Sequence, residues 1–265
     1  MAFASITLTS QRPPLQLGHH SAAQHPSQSL AKMPKAFLFD VYGTVCDWFT
    51  PMRGALAGFA PNGEHDFDQL TRDWRNGYGR ATWARVKDDL PFIPLADMTK
   101  EVLRDLLAEH EIPATDAELA ALNGVWRRLP AWPDVAGGLD RLRTIGPVAP
   151  CSNGNFDDME SLAAFAGLNW TTLAGSEVSQ QYKPSPATYL MSAEKVGVAP
   201  GEAMMVASHQ GDLKAAQAQG LRTAFVMRPD EFGGKGMGEE LAVTGEWDVV
   251  ASSFIDLAEQ LARQS

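Results

Sequence analysis

Cysteine is scarce: Cys46 and Cys151 are the only two in 265 residues, so no disulfide framework holds this chain together and a reducing cytoplasm suits it. No apolar run approaches the ~18 residues needed to cross a bilayer as a helix, so no membrane partner is expected. Basic residues are in deficit, 22 Lys and Arg against 32 Asp and Glu, for a net charge of −10. That balance excludes broad electrostatic attraction to nucleic acid, and an anionic ligand would have to be drawn in by local positive groups. Metal-ligand spacing is missing too: His19, His20, His25 and His65 have no Cys or acid at a zinc-site interval. Finally, no acid precedes Asp40, and Ser, Gln, His and Pro dominate residues 1–33, which reads as a disordered extension. This segment lacks the compact apolar core of a secretory signal and the arginines of a transit peptide. A dispensable extension, or a start codon assigned too early ahead of Met33-Pro34-Lys35, accounts for it.

What the chain does contain is organised around Asp40. The apolar run Ala36-Phe37-Leu38-Phe39 ends abruptly on this acid and is followed by Gly43, as expected of a buried strand that carries the acid at its carboxyl end. Ligands of open α/β sheets bind at that edge. An acid after a strand also caps turns and helix starts, and the strand alone does not separate the two uses. From about residue 48 to 132 the periodicity is helical, with segments 67–90, 98–110 and 116–129 punctuated by Pro51, Pro61, Pro91, Pro94 and Pro113. Beyond Pro133 strands and helices alternate. Helices are expected at 134–144, 157–166, 184–196, 212–219 and 254–263, and strands at 147–150, 170–173, 203–207, 223–227 and 249–250. Such alternation predicts a doubly wound parallel sheet of the α/β class, interrupted after its first strand by a helical insertion. Residues 230–238 read as a Gly-rich surface loop.

Three further segments carry polar groups, two of them at strand ends and one at a helix start. Cys151-Ser152-Asn153-Gly154-Asn155 follows an expected strand, where a small hydroxyl and neighbouring N–H groups can surround an oxyanion, although Asn-Gly is also an ordinary turn. Lys183-Pro184-Ser185-Pro186 precedes a helix whose first turn Pro184 suits. Ser208-His209-Gln210-Gly211-Asp212 follows the strand 203–207, and there Asp212 can equally be a helix N-cap. A thiol nucleophile at Cys151 has no Cys-His-Asn pattern behind it, so the thiol reads as buried and inert.

Asp40-x-x-Gly43-Thr44 resembles the first motif of the haloacid dehalogenase superfamily, and the resemblance extends over residues 35–262. It implies that the fold is a Rossmann-like core, residues 34–48 and 133–265, with a helical cap domain, residues 49–132, inserted after the first strand. Position 42 selects the branch. Phosphatases of the superfamily carry a second Asp there to protonate a leaving oxygen, whereas Tyr42 resembles the (S)-2-haloacid dehalogenase branch, whose leaving halide needs no proton. On that resemblance Asp40 is the nucleophile, Lys183 and Asp212 its charged partners, and Arg75 of Trp74-Arg75 the halide acceptor, with Arg72 and Arg80 as rivals. Tyr42, Thr44, Ser152, Asn153, Tyr189 and Ser208 fall on substrate-site positions. Trp48, Trp83 and Phe92 are candidates for an apolar lining or for plain core. The pattern departs from the branch at Ala207, His209 and Gly211, which stand where it commonly reads Ser, Asn and Trp. His209 is therefore open between a site donor, a base for water, and a tolerated neighbour.

The expected function is hydrolytic dehalogenation of short 2-haloalkanoic acids to 2-hydroxy acids through an aspartyl ester. The halogen, fluoride included, is left open. The only partners expected are the haloacid and the released halide, beside the homodimers common in the family, and no metal or cofactor is implied. A superfamily phosphatase, another Asp-nucleophile hydrolase and a binding protein on a retained fold are the alternatives.

Overall fold

The apolar run forms strand β1, Ala36–Phe39, and it lies inside the sheet with a parallel neighbour on each side. The structure, a computed structural model, describes residues 33–61, 64–234 and 242–264. Of the expected disordered extension, residues 1–32 lie outside the described residues, and Met33, counted with it, packs against the core instead. Strands β2 (Val148–Ser152), β3 (Ala174–Gly175), β4 (Ala203–Ala207), β5 (Arg222–Val226) and β6 (Val249–Ala251) complete a parallel sheet of order β3-β2-β1-β4-β5-β6. In register, Phe37 lies beside Val148 on one side and Met204 on the other.

Side chains alternate across a strand, so each strand feeds two cores. Phe37, Phe39, Met204 and Val206 point to one face, with Leu139 and Leu142 of α5 (Val135–Arg143), Met159 and Leu162 of α6 (Phe156–Ala166) and Leu257 and Leu261 of α10 (Phe254–Ala262). Leu38, Met205 and Phe225 point to the other, against Tyr189 and Ala193 of α8 (Pro186–Lys195) and Leu213 and Ala216 of α9 (Gln210–Ala218). Burial on both faces is why these strands read as unbroken apolar runs.

The insertion comprises α1 (Phe49–Phe59), α2 (Phe67–Lys87), α3 (Leu95–Glu109), α4 (Asp116–Asn123) and a 3₁₀ turn, Gly124–Arg127. Leu70, Trp74 and Tyr78, four apart, form the buried stripe of α2. Asp66 caps that helix by accepting from the Gln69 N–H at 3.0 Å, and Thr115 with Glu118 forms a capping box on α4.

Four expectations are corrected. The helix expected over 116–129 stops at Asn123, where Gly124 hands over to the tighter turn. The strand expected at 170–173 is a loop whose Trp170 and Leu173 pack on the core, and β3 begins only at Ala174, followed by the single helical turn α7 (Ser176–Ser179). The helix expected from Pro184 begins at Pro186, because Ser185, as the residue before a proline, is held extended at φ −58° and ψ 133°. The segment expected as a surface loop opens with a 3₁₀ turn, Glu231–Gly233, whose Glu231 is only 4% exposed; its residues 235–238 lie outside the described residues.

Helices α5 and α10 pack so closely that a Cβ added at Gly138 would lie 2.3 Å from Phe254 Cβ. Gly138→Ala is therefore expected to lower unfolding free energy by about 1–3 kcal/mol through overpacking, measured by urea titration.

Candidate active site

The strand order reverses between β1 and β4, and the crevice of an open α/β sheet lies at such a reversal. Asp40 leaves the carboxyl end of β1 there, 7% exposed. The turn after it depends on Gly43, whose φ of +97° disfavours a side chain. Thr44, delivered by this turn, donates its hydroxyl to Asp40 Oδ2 at 2.7 Å and accepts the Ser208 N–H at 2.9 Å. Its Oγ1 also lies 3.0 Å from Ser208 Oγ. Thr44 and Ser208 are thus buried links between the ends of β1 and β4.

Lys183, from the loop before α8, places its ammonium 2.7 Å from Asp40 Oδ1 and 2.6 Å from Asp212 Oδ2. Tyr189 donates to Asp212 Oδ1 at 2.6 Å and so fixes the second acid. Burial raises the proton affinity of both acids, but at Asp40 it is outweighed by the Lys183 charge and by the His209 hydrogen bond, which together hold this carboxyl well below the usual range. At Asp212 burial prevails, and its carboxyl is shifted upward despite Lys183. Lys183 is held protonated because Asp212 and Asp40 outweigh its own desolvation.

His209 begins α9 and completes the cluster. Its Nδ1 lies 3.0 Å from Asp40 Oδ2, and its Nε2 lies 3.0 and 3.1 Å from the two oxygens of Glu231. Burial lowers its proton affinity, and Glu231 and Asp40 raise it by more, to a pKa of about 10. The ring is an imidazolium at neutral pH, so it is a donor and not a base. Glu231 also accepts from the Trp48 indole N–H at 2.8 Å. A Cβ at position 43 would lie 2.0 Å from Glu231 Oε1, so Gly43 leaves the space that this carboxylate fills.

Ser152 ends β2, and its hydroxyl oxygen accepts the Gly154 N–H at 3.0 Å. That N–H, one of those expected to face an anion, is therefore used internally. Asn153 accepts the Lys183 backbone N–H at 2.9 Å, which fixes its oxygen on that side, and accepts the Ser176 hydroxyl at 2.8 Å. Its amide donates to Tyr78 on α2 at 3.1 Å, tying the insertion to the sheet edge.

From the insertion, Arg75 lies between two rings, its guanidinium carbon 4.6 Å from the centre of Tyr78 and 5.7 Å from that of Trp48. The other ends of these rings bond Asn153 and Glu231, so Arg75 overhangs the cluster. Its Nε and the Tyr42 hydroxyl are buried with no hydrogen-bond partner among the described residues. Of the rivals, Arg72 stacks on Phe49 at 5.6 Å and Arg80 is exposed. Among the aromatic candidates Trp48 is buried at the cluster, whereas Trp83, 55% exposed, and Phe92 line a separate groove of about 380 Å³ with Leu90 and Pro184. Both thiols are free and buried, and burial pushes that of Cys151 up to about 12, which removes it as a nucleophile.

Comparison with known proteins places this arrangement in a family. The model of the haloacid dehalogenase-like hydrolases matches residues 34–220. The chain belongs to that family. An (S)-2-haloacid dehalogenase of Xanthobacter autotrophicus is 28% identical over 198 residues, 74% of this chain and 76% of that protein. (S)-2-haloacid dehalogenase 1 of Pseudomonas sp. (strain CBS-3) is 30% identical over 210 residues, 75% and 88% of the two chains. The crystal structure of a defluorinating L-2-haloacid dehalogenase superposes with a TM-score of 0.82 at 37% identity, covering 86% of this chain and 95% of that one. Within the haloacid dehalogenase-like hydrolases the chain thus falls in the L-2-haloacid dehalogenase branch.

In this hydrolase the structure brings Asp40, Thr44, Lys183, Tyr189, Ser208, His209 and Asp212 into one bonded cluster, and links Asn153 to it through the Lys183 backbone. Tyr42, Arg75 and Ser152 border it without bonding it directly. Sequence reasoning missed Glu231 and Tyr78. Tyr78, four residues after Trp74 on the apolar stripe, could have been placed on the facing side by periodicity; Glu231 carried no local signal.

The paired His209 gives an expected outcome. Long-range proton–nitrogen NMR should find both ring nitrogens protonated at pH 8, with the proton leaving only near pH 10. Because the folded pKa is raised from the ordinary imidazole value of 6.5, the pairing stabilises fully below that value, and the contribution is lost as pH rises through about 10.

Proposed function

We propose that this hydrolase displaces halide from short 2-haloalkanoic acids, with Asp40 as nucleophile. The observation that carries the reading is the ionised Asp40 at the sheet reversal, with Tyr42 where a phosphatase needs an acid and Arg75 held over the site by two aromatic rings. A hydrolysing phosphatase must protonate its leaving oxygen, and a phenol whose pKa is raised by burial is a poor donor of that proton. A halide leaves unprotonated.

Asp40 attacks C2 from the face opposite the halogen. The new C–O bond forms as the C–halogen bond breaks, and the bonding pair leaves with the halide. Arg75 and the unpartnered Tyr42 hydroxyl receive that charge, and Ser152, whose own hydrogen is free to donate, holds the substrate carboxylate. Water then adds to Asp40 Cγ. Asp212, whose proton affinity is raised, takes the water proton and passes it to the departing alkoxide. The bond between Cγ and the ester oxygen breaks, releasing a 2-hydroxy acid inverted at C2. The insertion, residues 49–132, acts as a cap over these steps, the two free thiols suit a cytoplasmic enzyme, and no step calls for a metal.

Halide release from chloroacetate, fluoroacetate and both enantiomers of 2-chloropropionate, in EDTA, tests the reading; fluoroacetate is included because a similar structure is that of a defluorinating enzyme. The wild type should release halide, and Asp40→Asn should lower the rate by about 10⁴-fold or more. Arg75→Ala should lower kcat/KM by about 10²–10³-fold. No release from any substrate, or equal release by Asp40→Asn, overturns the reading.

A further inference from the structure

We propose that His209 is the donor that stabilises the oxyanion formed on Asp40 Oδ2 during ester hydrolysis, and that Glu231 is the positioning residue that holds it there. This rests on the dehalogenase reading and deepens it.

The two oxygens of Asp40 are unlike. Among the described residues Oδ1 meets the Lys183 ammonium alone, whereas Oδ2 accepts from both Thr44, at 2.7 Å, and His209, at 3.0 Å. Two donors engage the lone pairs of Oδ2 and one engages those of Oδ1, so Oδ1 is the freer to attack C2, and Oδ2 stays behind as the ester carbonyl. When water adds to Cγ, the carbonyl pair moves onto Oδ2. That oxygen then carries a full negative charge, facing a hydroxyl and a cation already in place. Collapse returns the pair to the carbonyl and expels Oδ1 with the product. Donors on Oδ2 weaken Asp40 slightly as a nucleophile and aid the second step, where charge grows on the atom that they touch.

The other half of the ring explains Glu231. Both ring nitrogens face carboxylates, so both carry protons and neither is free to accept one from water. Glu231 is buried and meets the nucleophile through the ring, on the side of the imidazole away from Asp40, so it acts by positioning and not in either chemical step. A carboxylate is buried at a heavy desolvation cost unless it is paired and hydrogen-bonded. Its partners here are the imidazolium, the Trp48 indole at 2.8 Å and the Ser208 hydroxyl at 3.5 Å, and Gly43 gives it room. These contacts hold the carboxylate against the ring and so fix the orientation and charge of the imidazole.

The test is rapid-quench kinetics with L-2-chloropropionate, following chloride and the intact protein mass in the wild type, His209→Ala and Glu231→Gln. Both variants should release the first equivalent of chloride at near the wild-type rate and then accumulate the Asp40 ester, seen as added mass. Steady turnover should fall roughly 10²-fold for His209→Ala and about tenfold for Glu231→Gln, whose neutral ring still donates. In Glu231→Gln the ring should also lose its second proton at lower pH by NMR. Wild-type turnover beside variants that build up no ester, or that lose the first chloride as well, overturns this assignment alone. A wild type that releases no halide overturns the dehalogenase reading itself. Should His209→Ala fail to fold, Glu231→Gln, which keeps the shape and the Trp48 acceptor, decides the question.

Discussion

One ammonium shared by two buried carboxylates sets the terms for everything at the carboxyl edge of the sheet. Lys183 lies within 2.7 Å of Asp40 and Asp212, and both acids are nearly excluded from solvent. Two such acids cannot both ionise side by side without a cation between them. With the cation present they diverge: Asp40 accepts two further donors and stays charged, while Asp212, held by Tyr189, has the higher proton affinity. A difference in proton affinity between neighbouring acids separates nucleophile from base without any change of residue type. The position of Lys183 rests in turn on Asn153, which grips its backbone and reaches across to Tyr78 on the insertion.

Topology delivers these groups from distant parts of the chain. With strand order β3-β2-β1-β4-β5-β6, the ends of β1, β2 and β4 are adjacent, so residues near positions 40, 152 and 208 converge although more than a hundred residues separate the first two. Parallel pairing makes this convergence one-sided. Every strand presents its carboxyl end at the same edge, and the helices that follow begin there, which is how His209 and Asp212 at the start of α9 come to face Asp40.

Much of this was legible in the sequence because strands buried on both faces announce themselves as short apolar runs, and a polar residue directly after such a run stands at the binding edge. Asp40, Ser152 and Ser208 were found in that way, and the fold class with its insertion followed from the alternation of strands and helices. Ends of elements were less legible where proline or glycine acts through a neighbour, as Pro186 does on Ser185. Glu231 was hidden for a different reason. It sits among glycines, beside no periodic segment, and its partners Trp48 and His209 lie 183 and 22 residues away. Nothing local distinguishes an acid that solvent covers from one buried by a tertiary contact. Trp83 shows the converse, a large aromatic read as lining or as core that the fold leaves 55% exposed.

The close approach at Gly43 has a consequence for how such a sequence can drift. The space above that glycine is filled by a carboxylate, the carboxylate is matched by an imidazolium, and the imidazolium is anchored on Asp40. Replacing His209 alone strands a negative charge in the interior, and enlarging residue 43 alone evicts it. An exchange at 209 therefore weighs on 231, and the reverse, although 22 residues separate them, whereas the glycine at 43 only supplies the room that the pair fills.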